Sequence, residues 1–121
     1  MAVTGADTSL GSPAGFVATT LINTLRGSDG GIAVEVRGEI DMANAQRLRQ
    51  ILTDTSHQRP TQLVVDLRYV TFIDSTGIGA LAAGYNAARS CGVPFTIRQP
   101  NPFIVTQLRQ TGLYHVLTVG H

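Results

Sequence analysis

The chain has 121 residues, 43% of them hydrophobic, which fits one domain with a single core rather than two. Charged residues make up 14% and the formal net charge is +1, and all nine cations are arginines scattered from Arg26 to Arg109, so nothing invites direct nucleic acid or membrane binding. A lone Cys91 excludes an internal disulfide, and zinc-type Cys/His spacings, a signal-like start in Met1–Pro13 and any apolar run of about 18 residues are missing; a soluble cytoplasmic protein without metal is expected.

Residues 1–15, MAVTGADTSLGSPAG, are small and polar without periodicity and read as a flexible tail ahead of a domain over 16–121. Phe16–Leu25 is apolar and Thr-rich, and GSDGG after it contains the turn pair Asp29-Gly30, so a hairpin is expected. Its second strand is marked by Ile32, Val34 and Val36 alternating with Ala33, Glu35 and Arg37. Asp41 is a suitable helix N-cap, and Leu48, Ile51, Leu52 and Thr55 recur at helical spacing until Arg59-Pro60-Thr61. The run Leu63–Leu67 suits a strand covered on both faces, and Val70–Ile73 is a second short apolar run.

Ile78, Leu81, Ala82, Tyr85 and Ala88 form the stripe of a second helix ending near Gly92-Val93-Pro94. Phe95–Arg98 is the next strand, Asn101-Pro102 opens a third helix that runs to Gly112, and Tyr114–Val119 is expected to be a closing strand. This order predicts an α/β fold: a mixed, mostly parallel sheet with an N-terminal hairpin and about three main helices. In such a sheet the loops leading from strands into helices share the carboxyl edge, which brings Asp41 near Ser75.

The stretch FIDSTGIGALAAG, Phe72 to Gly84, turns polar at Asp74, Ser75 and Thr76 where the second helix begins. Helix capping accounts for such residues, yet free amides and the positive end of the helix dipole also make this a place where a phosphoryl group is well received. No catalytic set accompanies Ser75: it lies outside a G-x-S-x-G, and nothing marks His57, His115 or His121 as its base. GIGALA fits the letter of a dinucleotide fingerprint, but Ile97 and Arg98 stand where an acid belongs, so close packing by Gly77, Gly79 and Ala80 is the better account. Cys91 reads as a small, partly buried side chain, and Arg47 and Arg49 as a solvated helix face close to the functional edge.

The residues VVDLRYVTFIDSTGIGAL resemble the STAS domain, specifically the bacterial anti-sigma factor antagonists, in which D-[ST]-[ST]-G-[LI]-G follows D-L-x-x-V-x-F. RGEIDMANAQRLR is similar to the same family's G-E-[LI]-D segment, and the likeness runs from about Phe16 to Val119. It implies a phosphoacceptor at Ser75, with Asp74, Thr76 and Gly77 as its neighbourhood. The implied partners are an anti-sigma factor that is also a serine kinase, and a phosphatase. ATP and magnesium would belong to the kinase, so the chain is expected to be no enzyme and to need no cofactor. Asp41, Met42, Ala43 and Asn44 are expected to form a partner surface with Ser75, Thr76, Ile78 and Gly79, with interior packing as the alternative for Met42 and Ile78. The alternative function is a STAS-type ligand- or lipid-handling accessory subunit of a transporter.

Overall fold

The computed structural model describes residues 20–119; the tail expected over 1–15 and the strand start at Phe16 lie outside the described residues. Strand β1 (Thr20–Arg26) and strand β2 (Ile32–Ile40) form the antiparallel hairpin. Its turn closes through the Gly27 amide on the Gly31 carbonyl at 2.8 Å and the Gly31 amide on Asp29 Oδ1 at 2.9 Å, with Gly30 at φ 88° where a side chain would be strained. Ile32, Val34, Val36 and Ile40 are buried, as their alternation predicts.

Strand β3 (Leu63–Ile73) runs parallel to β2, and strand β4 (Phe95–Arg98) parallel to β3, completing a four-stranded sheet in the order β1-β2-β3-β4. The apolar runs Leu63–Leu67 and Val70–Ile73 are therefore one strand. Pairing with β2 slips between Glu35 and Arg37 and again between Gly38 and Glu39, each time inserting an extra residue on the β3 side. Each insertion turns the following side chain to the other face, so the buried positions step from Leu67 to Val70 to Ile73. Leu63 to Leu67 are buried throughout, as expected of a strand covered on both faces. Within this run the buried Asp66 accepts from the Arg68 amide at 2.9 Å and pairs with the Arg68 guanidinium at 3.2 Å, so its charge does not go unmatched.

Helices α1 (Ala45–His57), α2 (Ser75–Ser90), α3 (Pro102–Gln110) and α4 (Tyr114–Val119) complete the described fold. Leu48 and Leu52 of α1, Ile78, Leu81 and Ala88 of α2, Ile104 and Leu108 of α3 and Leu117 of α4 join the strands in one buried cluster. Asn101 caps α3 by accepting the Ile104 amide at 2.9 Å, with Pro102 at the first helical position.

The closing strand expected at Tyr114–Val119 is instead helix α4. At the end of α3, Gly112 takes φ 77°, and the Leu113 amide reaches back to the Leu108 carbonyl at 2.9 Å, a Schellman turn that redirects the chain. The Leu117 amide then bonds the Leu113 carbonyl at 2.9 Å, and this spacing of four puts Leu113 and Leu117 on one face toward the core. The sheet accordingly ends at β4.

Helices α1 and α2 touch through Gly84: a Cβ there would lie 2.6 Å from Leu52 Cδ1 and 2.9 Å from Leu52 Cβ, too close for a mere rotamer change to relieve. Gly84→Ala is expected to lower stability by about 1–2 kcal/mol, because overpacking outweighs the helix propensity gained. Urea unfolding of the variant against wild type checks this.

Candidate functional site

Strands β2 and β3 end side by side, with Ile40 opposite Ile73 in parallel register, so the segments that follow leave the same edge together. The Asp74 amide donates to the Ile40 carbonyl at 3.1 Å and stitches the two exits. Asp41 does not cap α1, as its residue type suggested. Its carbonyl accepts the amides of Asn44 at 3.1 Å and Ala45 at 2.8 Å, and its Oδ1 accepts the Ala43 amide at 3.0 Å, so residues 41–44 form a closed turn ahead of a helix that begins at Ala45. Asn44 faces back into that turn: its Oδ1 accepts the Asp41 amide at 3.1 Å, while its Nδ2 donates to the Glu39 carbonyl and to Thr20 Oγ1, both at 2.9 Å. Met42 is thereby held at the tip, 80% exposed.

At the start of α2 the three polar residues divide the work. Asp74 is the N-cap, and its Oδ1 accepts from the amides of Thr76 at 2.9 Å and Gly77 at 3.1 Å and from the Thr76 hydroxyl. The Thr76 hydroxyl, with the amides of Gly77, Thr76 and Met42, holds the Asp74 carboxyl below the usual aspartate range against the opposing effect of desolvation. Gly77 is required for this close start, because a Cβ would lie 2.6 Å from both Ile40 Cγ2 and Ile73 Cγ1. Ser75 is exposed at the first helical position, and its hydroxyl has no hydrogen-bond partner among the described residues. The amides of Thr76 and Gly77 are occupied, so an anion on Ser75 would meet the helix dipole and the Asp74 carboxylate rather than a row of vacant donors.

Of the expected partner surface, Met42, Ala43, Ser75, Thr76 and Gly79 are exposed at this edge, whereas Asp41 and Asn44 are half-buried and shape the turn. Ile78, 6% exposed, belongs to the core. Gly79 is not a packing glycine, since a Cβ there would meet nothing within 4 Å. Sequence reasoning passed over a groove of about 340 Å³ between the first turns of α1 and α2, lined by Met42, Ala45, Gln46, Arg49, Thr76, Gly79 and Ala80. Its signal was present in the spacing: 45, 46 and 49 fall on one helical face, with Met42 on the turn just before it, and 76, 79 and 80 fall on another. Phe72 and Phe103, both partly exposed, stack with ring centroids 5.9 Å apart near the same edge.

A family model described as the Mlab, STAS domain matches residues 23–118. The chain belongs to the STAS domain family. This STAS domain is 41% identical over 54 residues to the anti-sigma-F factor antagonist RsfB of Mycobacterium tuberculosis, and the match spans 44% of that relative's length and 44% of this chain. It is also similar to the crystal structure of an anti-sigma factor antagonist from Mycobacterium paratuberculosis, with 35% identity, a TM-score of 0.67 and coverage of 77% of this chain and 80% of that one. The anti-sigma factor antagonist SpoIIAA in its unphosphorylated form shares the fold, with a TM-score of 0.69 at 16% identity over 78% of this chain and 83% of that one.

Because the folded Asp74 has its pKa lowered, its cap stabilises the domain above the unfolded aspartate pKa, and that contribution is lost as pH falls through the folded value. Asp74→Ala is expected to cost about 1 kcal/mol at neutral pH. Denaturant titrations across the acid range should show the gap between variant and wild type narrowing as pH falls.

Proposed function

We propose that this STAS domain is an anti-sigma factor antagonist: unmodified, it binds an anti-sigma factor and so releases a sigma factor, and phosphorylation of Ser75 ends the binding. The observation that carries the reading is the Ser75 hydroxyl, exposed and uncommitted at the first position of α2, beside the protruding Met42 turn. Support comes from the similar antagonists of Mycobacterium, one of them 35% identical over most of its length. SpoIIAA, alike in fold, has been solved in a phosphorylated form as well as an unphosphorylated one.

The partner is an anti-sigma factor with serine kinase activity. Its bound ATP supplies the γ-phosphoryl group: a bond forms from Ser75 Oγ to phosphorus, the bond to ADP breaks, and the hydroxyl proton passes to a base of the kinase. The domain is the substrate in that step, and a phosphatase restores the hydroxyl. The added phosphate carries about −1.5 to −2 charges at neutral pH. It stands next to an Asp74 carboxylate that hydrogen bonds keep ionised, so the rim changes from one negative group to a doubled one. A partner fitted to the neutral hydroxyl loses both shape and electrostatic match, and the fold need not rearrange. Met42, Ala43, Ser75, Thr76 and Gly79 make the contact surface, with Asp41 and Asn44 holding its turn and Ile78 supporting it from beneath.

Incubation with the kinase-type anti-sigma factor and ATP should add one phosphate, located to Ser75 by mass spectrometry and absent in Ser75→Ala. In a binding titration with ATP present, Ser75→Ala should keep the affinity of unmodified wild type, while Ser75→Asp should bind at least about tenfold more weakly, or ~1.4 kcal/mol. Equal affinity of all three proteins overturns the switch.

A further inference from the structure

Three glycines in α2 have different reasons to be there. Gly77 and Gly84 are forced by neighbours within the chain, whose atoms a Cβ would approach to 2.6 Å. Gly79 has no such neighbour within 4 Å, is exposed, and does not take a left-handed backbone. A glycine inside a helix is unfavourable relative to alanine, so the fold alone gives no reason for it. Gly79 sits on the groove between α1 and α2, whose floor is the buried Ala45 and Ala80 and whose walls include Met42, Gln46, Arg49 and Thr76.

Arg49 adds the second observation. Arg37, Arg68 and Arg98 each have a carboxylate partner, whereas Arg47, Arg49 and Arg89 have no ion pair or hydrogen bond among the described residues, and of these three Arg49 lines the groove. The groove thus offers an apolar floor, a bare stretch of helix backbone and an unneutralised guanidinium, and through Thr76 it is continuous with the Ser75 turn.

We infer that this groove receives an acidic-apolar segment of the anti-sigma factor, with a large apolar side chain on Ala45 and Ala80, its main chain passing close over Gly79, and a carboxylate paired with Arg49. The inference rests on the proposed function and names the chemistry of that partner. It also gives the phosphate a specific target: a negative segment drawn in by Arg49 is repelled by a phosphorylated Ser75 next to the groove wall.

The test uses the full chain and the purified anti-sigma factor kinase that modifies Ser75. Gly79→Gln, whose side chain has open space in the free domain, should unfold at a temperature equal to or above wild type yet bind at least about tenfold more weakly. Arg49→Glu should lose a similar factor and flatten the salt dependence of binding, while Arg47→Glu, outside the groove, keeps wild-type affinity. If Gly79→Gln and Arg49→Glu bind as wild type does while Ser75→Asp does not, the groove is overturned and the switch stands. Wild-type protein that neither binds nor accepts phosphate overturns both.

Discussion

One hydrogen bond, from the Asp74 amide to the Ile40 carbonyl, fixes the geometry on which the candidate site depends. Parallel pairing carries β2 and β3 to the same edge, and this bond joins the segments beyond them before either becomes helix. Asp74 then uses its carboxylate on the amides of Thr76 and Gly77, so the same residue closes the sheet edge and opens α2. Gly77 permits the join, because any larger residue would push the helix off Ile40 and Ile73. The Met42 turn is held against this joint from the other side, by Asn44 and by the approach of the Met42 amide to the Asp74 carboxylate.

The arrangement separates rigidity from availability. Asp41, Asn44, Asp74 and Thr76 spend their polar groups on the turn and the cap, which leaves Met42 and Ser75 presented by a braced edge rather than by a loose loop. Preorganisation of this kind lowers the conformational cost of association, since few side chains have to be immobilised on contact. The aromatic pair of Phe72 and Phe103 extends the apolar character of the edge beyond the Met42 side.

Much of the fold was legible because its signals are local. The alternation at Ile32, Val34 and Val36, the Asp29-Gly30 turn and the Asn101-Pro102 start each express one short-range rule, and all three hold in the structure. β3 reads as two runs in the sequence because its inserted residues break the period of two, and such insertions depend on the register with a neighbouring strand. Tyr114–Val119 reads as a strand because Val116, Thr118 and Val119 are β-branched; the Gly112 turn and the burial of Leu117 override that local preference. In the site, the place of Ser75 followed from topology, while the groove escaped notice because it belongs to two helices at once. The capping role expected of Asp41 and the packing role expected of Gly79 do not hold, for a related reason: whether a carboxylate caps a helix or a glycine relieves a contact depends on the surrounding atoms rather than on residue type.

The bond from the Thr76 hydroxyl to Asp74 has a chemical consequence of its own. Two exposed alcohols stand side by side at this turn, but one has its proton engaged by a carboxylate, while the other has no hydrogen-bond partner among the described residues. The Thr76 hydroxyl is therefore held in one orientation by the cap, whereas the Ser75 hydroxyl can turn either its proton or its lone pairs toward whatever meets the edge.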